Sequence, residues 1–303
     1  MKVRILYTDG MGEFLEGIYD KPQPADDEIV VESVMTGVCR SDAAMAMGQF
    51  PLLPMHMMGH EGLGIVLKTG SNINQENIRV GDFVATRGEP AFADLYNCKV
   101  GNFVKVKELN PKYILEPVAC GFNLIYTCWS EIMNRSGSNR RCLIIGSGFL
   151  AHIAYQTIKH FDIPFGTIDV VGKSNSELFP PQIAKPNGKY DVVIDISENP
   201  DYLAEDIYTE SGLLILAAPK YPDVGTDLSN LLWNNMTIKM PSPRSERFYS
   251  SMTEANRLIR DNIINVDKFW SKAYNRDTEW QQAFKDAIDR PPNYNRGYIT
   301  WQQ

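Results

Sequence analysis

The chain of 303 residues is predicted to be an α/β protein with an added β domain. A barrel-like β domain comes first, followed by a doubly wound parallel sheet. Three observations carry this prediction. β-branched runs broken by glycine fill the first 110 residues or so, where helical periodicity is weak. From about Pro111, buried strands alternate with helices, the pattern of a parallel sheet with right-handed crossovers. A glycine-rich turn, Gly146-Ser147-Gly148-Phe149-Leu150-Ala151, stands between a buried strand and a helix.

In chain order, strands are expected over 3–7, 28–38, 62–70 and 81–86, with 92–97 and 101–106 as one more strand pair. Residues 115–134 have helical spacing and no glycine after Gly121. Residues 141–146 read as a buried strand, 149–161 as a helix and 167–172 as the second strand of the parallel sheet. Two more buried strands follow at 189–197 and 212–219. From about Ser245 the chain is amphipathic and helical, most clearly over 252–264 and 278–290. The end, 295–301, reads as a returning strand. Residues 1–114 with 265–303 are assigned to the β domain and 115–264 to the dinucleotide-binding domain.

Composition excludes several classes. With 44% hydrophobic and 22% charged residues the chain is an ordinary globular protein, long enough for two cores. A net charge of −7 argues against a nucleic-acid partner, which calls for a basic patch. The five cysteines (Cys39, Cys98, Cys120, Cys128 and Cys142) form no Cys-x-x-Cys pair and no even framework, which points to a reducing compartment. MKVRILYTDG reads as a first strand, not a signal peptide, and no apolar run is long enough to span a bilayer. A cytoplasmic location without membrane attachment is expected.

Gly146 to Ala151 fits G-x-G-x-x-G/A in the context that gives the pattern meaning. Gly146 allows the tight turn, Gly148 lets the backbone approach a pyrophosphate, and Phe149 and Leu150 open a helix whose free N–H groups favour phosphate. A carboxylate at the end of the second strand would grip the ribose of NAD. Here Gly172 stands at that place, followed by Lys173 and Ser174, which suit a 2′-phosphate. NADP is therefore favoured over NAD, although a three-residue shift of register would bring Asp169 to the ribose. In the first half, Cys39 and the run Gly59-His60-Glu61 combine a thiol, an imidazole and a carboxylate, the donor types of a zinc site.

These segments together resemble a known family. TGVCRSD (36–42), GHEGLGIVLKTGSNI (59–73), VGDFVA (80–85) and GSGFLA (146–151) are similar to the medium-chain dehydrogenase/reductase superfamily, in its zinc-dependent alcohol dehydrogenase branch. The resemblance covers nearly the full chain and implies a GroES-like β-barrel catalytic domain joined to a Rossmann domain, with the active site in the cleft between them. It implies that Cys39 and His60 ligate one catalytic zinc and that Glu61 lies beside the metal, sometimes binding it directly. Glu116, in an intact Glu-Pro pair, is favoured as the last ligand, with Cys120 as its alternative. Asp42 would accept the N–H of His60; its other reading is a cap for the following helical turn. Arg40 matches a pyrophosphate-contacting position and Ser41 the hydroxyl that touches the substrate oxygen.

The chain also departs from the family. The four-cysteine lobe that binds a structural zinc is missing, so this is a short member with one expected metal. The histidine ending the proton relay falls at Ala44, which leaves water or Glu61 to carry the proton. Met45, Phe50, Met57 and Tyr96 are expected to line an apolar pocket. His56 and His152 read as packed or surface residues.

The expected activity is zinc-dependent hydride transfer between NAD(P) and an alcohol or carbonyl of a small molecule. Two alternatives stay open: a zinc-free NADPH-dependent reductase of the quinone or enone type, and a non-catalytic nucleotide-binding protein. A homodimer joined through the Rossmann sheets is the default assembly.

Overall fold

The computed structural model describes residues 1–49, 57–88, 90–175, 177, 179, 182–218 and 227–301. Phe50 and His56 lie outside the described residues. Along the chain the strands and helices are β1 (Lys2–Thr8), β2 (Phe14–Asp20), β3 (Glu28–Gly37), α1 (Arg40–Ala46), β4 (Gly62–Thr69), β5 (Phe83–Thr86), β6 (Leu95–Lys99) and β7 (Phe103–Lys105). Then come α2 (Leu115–Tyr126), α3 (Trp129–Met133), β8 (Gly137–Ile145), α4 (Phe149–His160), β9 (Phe165–Val171), β10 (Gln182–Ile183), β11 (Tyr190–Asp195) and β12 (Tyr208–Leu216). The chain closes with α5 (Ser229–Trp233), β13 (Thr237–Lys239), α6 (Phe248–Arg260), β14 (Trp270–Asn275), α7 (Trp280–Asp289) and β15 (Arg296–Thr300).

Two compact units divide the chain: Met1–Pro117 with Met252–Gln303, and Val118–Ser251. Residues 252–264, assigned from sequence to the dinucleotide domain, make their contacts in the first unit. There α6 buries Met252, Ala255, Leu258 and Ile259.

The first unit is built on β3. The sheet runs β14-β15-β3-β4-β5-β7, and β6 also pairs with β3. β6 lies against Glu28–Glu32 and β15 against Met35–Gly37, so one long strand serves two partners in succession. The expected pairing of 92–97 with 101–106 does not form: β6 pairs with β3, and β7 pairs with β5. The hairpin partner β2 and the strand β14 carry no clear alternation and were not expected from sequence. Helix α7 closes one face, packing Trp280, Ala283, Phe284 and Ala287 with Leu6, Met45, Met58, Phe92 and Ile299. Each large apolar side chain buried in this way contributes about 1.5–3 kcal/mol.

In the second unit the sheet order is β10-β9-β8-β11-β12-β13, with every pair parallel. This is the doubly wound order with the reversal between β8 and β11. Alternate residues serve opposite faces. Cys142, Ile144, Val192, Ile194, Leu213 and Ile215 enter one core, while Leu143, Ile145, Val193 and Leu214 enter the other. That two-sided burial is why these strands read as continuous apolar runs. The helical stretch 115–134 is two helices, broken at Thr127, whose hydroxyl donates to Asn123 Oδ1 at 2.8 Å. Among the described residues no helix is long and apolar enough to cross a membrane.

Candidate functional site

Three strand ends meet in the first unit. β3 stops at Gly37, whose N–H donates to the Glu61 carbonyl at 2.9 Å, just before β4 begins. One residue on, Val38 N–H donates to the carbonyl of Gly297 on β15 at 3.0 Å. The side chains of Cys39, Glu61 and Arg296 therefore converge although their sequence positions are far apart.

Cys39 caps α1, and Asp42, in the first turn, accepts the Cys39 N–H at 3.0 Å. An acidic side chain there also suits the positive end of the helix. The same carboxylate, fully buried, accepts the Gly59 N–H at 3.4 Å and stands 3.5 Å from His60 Nδ1. One carboxylate thus holds both turns that carry the candidate donors, and Asp42 combines the imidazole contact with support of the helix start. Gly59 has a φ of +87°, and a Cβ there would collide with the backbone nitrogen and ring of Phe92. Only glycine fits where the chain turns into His60.

With Nδ1 toward Asp42, His60 Nε2 faces the other groups. It lies 3.5 Å from Ser41 Oγ and 3.8 Å from Glu61 Oε1. Burial opposes charge on the ring, but the Asp42 carboxylate, with a smaller contribution from Cys39, holds its pKa well above the usual histidine value. One donor atom each from Cys39, His60 and Glu61 lies within 4.8 Å of the others.

Glu61 is fully buried. Its Oε1 accepts from Arg296 Nη2, and its Oε2 has no hydrogen-bond partner. Gly37 makes room for it, since a Cβ there would fall on Oε2. Arg296 lies over the Trp270 ring at 5.4 Å. Burial would lower the pKa of its guanidinium, but the charges of Glu61, Cys39 and Glu116 raise it, so the group stays a cation. Arg296 and Trp270 were not singled out from the sequence. No local pattern separates Arg296 from other arginines, because its place depends on how β15 pairs.

The other expected site residues are placed as follows. Glu116 is buried in the first turn of α2 and acts on Arg296 by its charge, but it is outside the mutually close donor set. Cys120, half-buried and one turn further along α2, is outside that set too. Arg40 Nη1 donates to the Ile288 carbonyl at 3.1 Å. Met45 and Tyr96, expected to line a pocket, are core residues instead. Met45 packs under α7, and the Tyr96 hydroxyl pairs with Thr86 Oγ1 at 2.7 Å. Met57 is half-buried and bridges to Tyr7.

The second unit holds the glycine turn. Gly146 has a φ of +117°, and its N–H donates to the Val171 carbonyl at 2.8 Å, tying the turn to the end of β9. Gly148 caps α4, and a Cβ there would meet nothing within 4 Å. Phe149 and Ala151 are buried; Ala151 packs in one core and lets helix and sheet approach. Leu150 is half-buried. After β9, Gly172 is followed by the exposed Lys173 and Ser174. Asp169 is engaged inside the strand, taking Arg141 Nη2 at 2.9 Å and the Tyr190 hydroxyl at 2.8 Å. His152 packs its ring edge-on to Phe179.

Comparison with known proteins adds the family context. The sequence model of the alcohol dehydrogenase GroES-like domain matches residues 25–161. D-arabinitol dehydrogenase 1 of Uromyces fabae is 25% identical over 174 residues, covering 46% of each chain. Matches to curated relatives such as this one span about a fifth to a half of the relative's length. Among solved structures, a thermostable alcohol dehydrogenase from Pyrobaculum aerophilum aligns with a TM-score of 0.81 at 16% identity, covering 99% of this chain and 100% of that one. S. aureus TarJ in complex with NADPH aligns with a TM-score of 0.79 at 16% identity over 100% of both chains.

Proposed function

Because the chain belongs to the medium-chain dehydrogenase/reductase superfamily, we propose that it transfers a hydride between NADP(H), preferred over NAD(H), and a small alcohol or carbonyl compound at a single zinc. The mutual approach of the Cys39 thiol, the His60 imidazole and the Glu61 carboxylate within 4.8 Å carries this reading. The donor set fits zinc, which takes sulfur, nitrogen and carboxylate oxygen. The buried Glu61 Oε2, without a hydrogen bond, is a further sign of fit, since buried acceptors are normally satisfied. Cys39 and His60 would hold the ion with Glu61 beside it, and Glu116 or Cys120 remains the proposed last ligand. Bound there, the ion supplies Lewis acidity to an alcohol or carbonyl oxygen.

The rest of the work falls to the chain's own groups. Asp42 holds the His60 ring with Nε2 toward the donor cluster. Ser41 Oγ, beside that nitrogen, is placed to exchange a proton with the substrate oxygen. Arg296, paired with Oε1 of Glu61, holds that side chain in place. The Gly146 turn and the α4 N-terminus receive the pyrophosphate, with Arg40 as a further candidate contact. Lys173 and Ser174, exposed where an NAD enzyme would carry a carboxylate, favour a 2′-phosphate; the engagement of Asp169 by Arg141 and Tyr190 supports this preference.

A cytoplasmic homodimer completes the reading. β13 ends its sheet, and the exposed Leu232, Trp233, Ile238 and Met240 around it suit a second copy of the same edge.

Metal analysis with a carbonyl panel read by NADPH absorbance tests the proposal. The purified protein should hold one zinc, and Cys39→Ala should lose both zinc and turnover, by more than about 100-fold, beyond the effect of changing a ligand's supporting partner. NADPH oxidation undiminished in Cys39→Ala would establish the zinc-free reductase instead. NADPH that binds but is oxidised with no member of the panel would leave the non-catalytic nucleotide-binding reading.

A further inference from the structure

The turn after β9 is stitched to the glycine turn by one side chain. Ser147 is buried, only 6% exposed. Its Oγ accepts the Ser174 N–H at 3.3 Å and lies 3.3 Å from Ser174 Oγ. Its carbonyl accepts Asn175 Nδ2 at 2.8 Å, and Asn175 takes the left-handed conformation with a φ of +57°. From the far side, Gln182 Nε2 donates to the Ser174 carbonyl at 3.2 Å. Segments 146–148 and 172–175 therefore behave as one preformed surface.

Gly172 shows what this stitching excludes. A Cβ built there falls directly on Oγ and Cβ of Ser147 and reaches its backbone nitrogen at 3.0 Å. Any side chain at 172 has to displace Ser147, which is held by the contacts just described. A carboxylate that grips a ribose diol from the end of β9 needs that same space.

We infer that Ser147 is a specificity-determining residue: its side chain bars an acidic residue from position 172 and fixes the Ser174 turn that presents Lys173 and Ser174 to a nucleotide with a phosphomonoester on its adenosine ribose. This rests on the dinucleotide reading of the Gly146 turn. The class of nucleotide accepted is then decided by a pair, Ser147 with Gly172, and not by the residue after β9 alone. Residues in direct contact are coupled, so their replacements do not add.

The test uses the full chain in two readouts. Thermal unfolding reads the steric part without any nucleotide: Gly172→Ala should lower the midpoint in the native background and do so much less beside Ser147→Gly. Titration with NADPH and NADH, followed by nicotinamide fluorescence, reads the specificity part. Ser147→Gly should weaken NADPH relative to NADH. Ser147→Gly/Gly172→Asp should bind NADH at least about tenfold tighter than Gly172→Asp alone, a coupling typical of touching residues. The inference is overturned if Gly172→Asp by itself changes the preference as fully as the double variant, or if Gly172→Ala costs the same in both backgrounds. Wild-type protein that binds neither nucleotide, while the unfolding coupling holds, would overturn the dinucleotide reading and the specificity role with it, leaving only the packing.

Discussion

The Cys39–His60–Glu61 cluster and the Gly146 turn are built from opposite materials. In the cluster, charged side chains come together from strand ends as far apart as Glu61 and Arg296, 235 residues distant in sequence. Each is tolerable in its buried place because another compensates it. In the turn, backbone groups and small residues from two short segments, 146–148 and 172–175, form the surface, and what matters is which side chains are missing. A site made of charges is sensitive to the loss of a partner. A site made of backbone is sensitive to the gain of an atom.

The largest expected effect breaks the charge side of this contrast. Arg296→Met leaves the fully buried Glu61 carboxylate without its cation, and one-sided removal of a buried pair costs about 3–5 kcal/mol. Urea unfolding should show that loss, with part of it recovered in Glu61→Gln/Arg296→Met. A cost below about 1 kcal/mol would mean that the cluster is not held by this pair.

A smaller effect sharpens the backbone side. Gly148→Thr adds a side chain where a Cβ meets nothing and where the residue already has extended geometry, and threonine caps helices about as well as glycine. Stability should stay within about 0.5 kcal/mol. NADPH should bind about tenfold more weakly or worse, equivalent to about 1.4 kcal/mol, because the added atoms fill the space for the pyrophosphate. An unchanged NADPH affinity would remove the pyrophosphate from this turn.

The smallest effect concerns a buried carboxylate that, unlike Glu61, is well supplied with donors. Asp286 takes the Tyr274 hydroxyl at 2.6 Å, Lys272 at 2.9 Å and Gln282 at 2.6 Å. Burial pushes its pKa up, but these three donors outweigh it and hold the group below its ordinary value of 3.8. A folded-state pKa below the unfolded one stabilises the protein above the ordinary carboxylate range and ceases to do so as the pH falls through it. Asp286→Asn should therefore cost about 1 kcal/mol at neutral pH, since its single oxygen can still accept from Tyr274 and Lys272 but without the negative charge, while its amide nitrogen cannot accept from Gln282. The difference from wild type should close as the pH is lowered past 4 in thermal unfolding. A difference independent of pH would show that packing, not charge, sets the role of Asp286.

Some of this was legible residue by residue. The glycine turn is a local object: Gly146, Gly148 and the apolar runs on either side announce strand, turn and helix within ten residues. Cys39, His60 and Glu61 stand out by chemistry and spacing. Met45 and Tyr96 pack in cores and not in the pocket expected of them; an apolar side chain looks the same in sequence in either place. Adjacency in sequence suggests that 92–97 and 101–106 pair with each other, whereas β3 takes β6 along its first half and β5 takes β7.

Local hydrogen bonding and periodicity act between residues a few positions apart, and so the order of elements, the parallel sheet and the donor types could be read directly from the chain. Strand register decided the rest. Only when β15 aligns Tyr298 with Gly37 does Arg296 come to rest beside Glu61, and only when β8 and β9 pair does Ser147 reach the space above Gly172. Such contacts join residues whose separation along the chain carries no periodic signal, so folding in three dimensions had to reveal them.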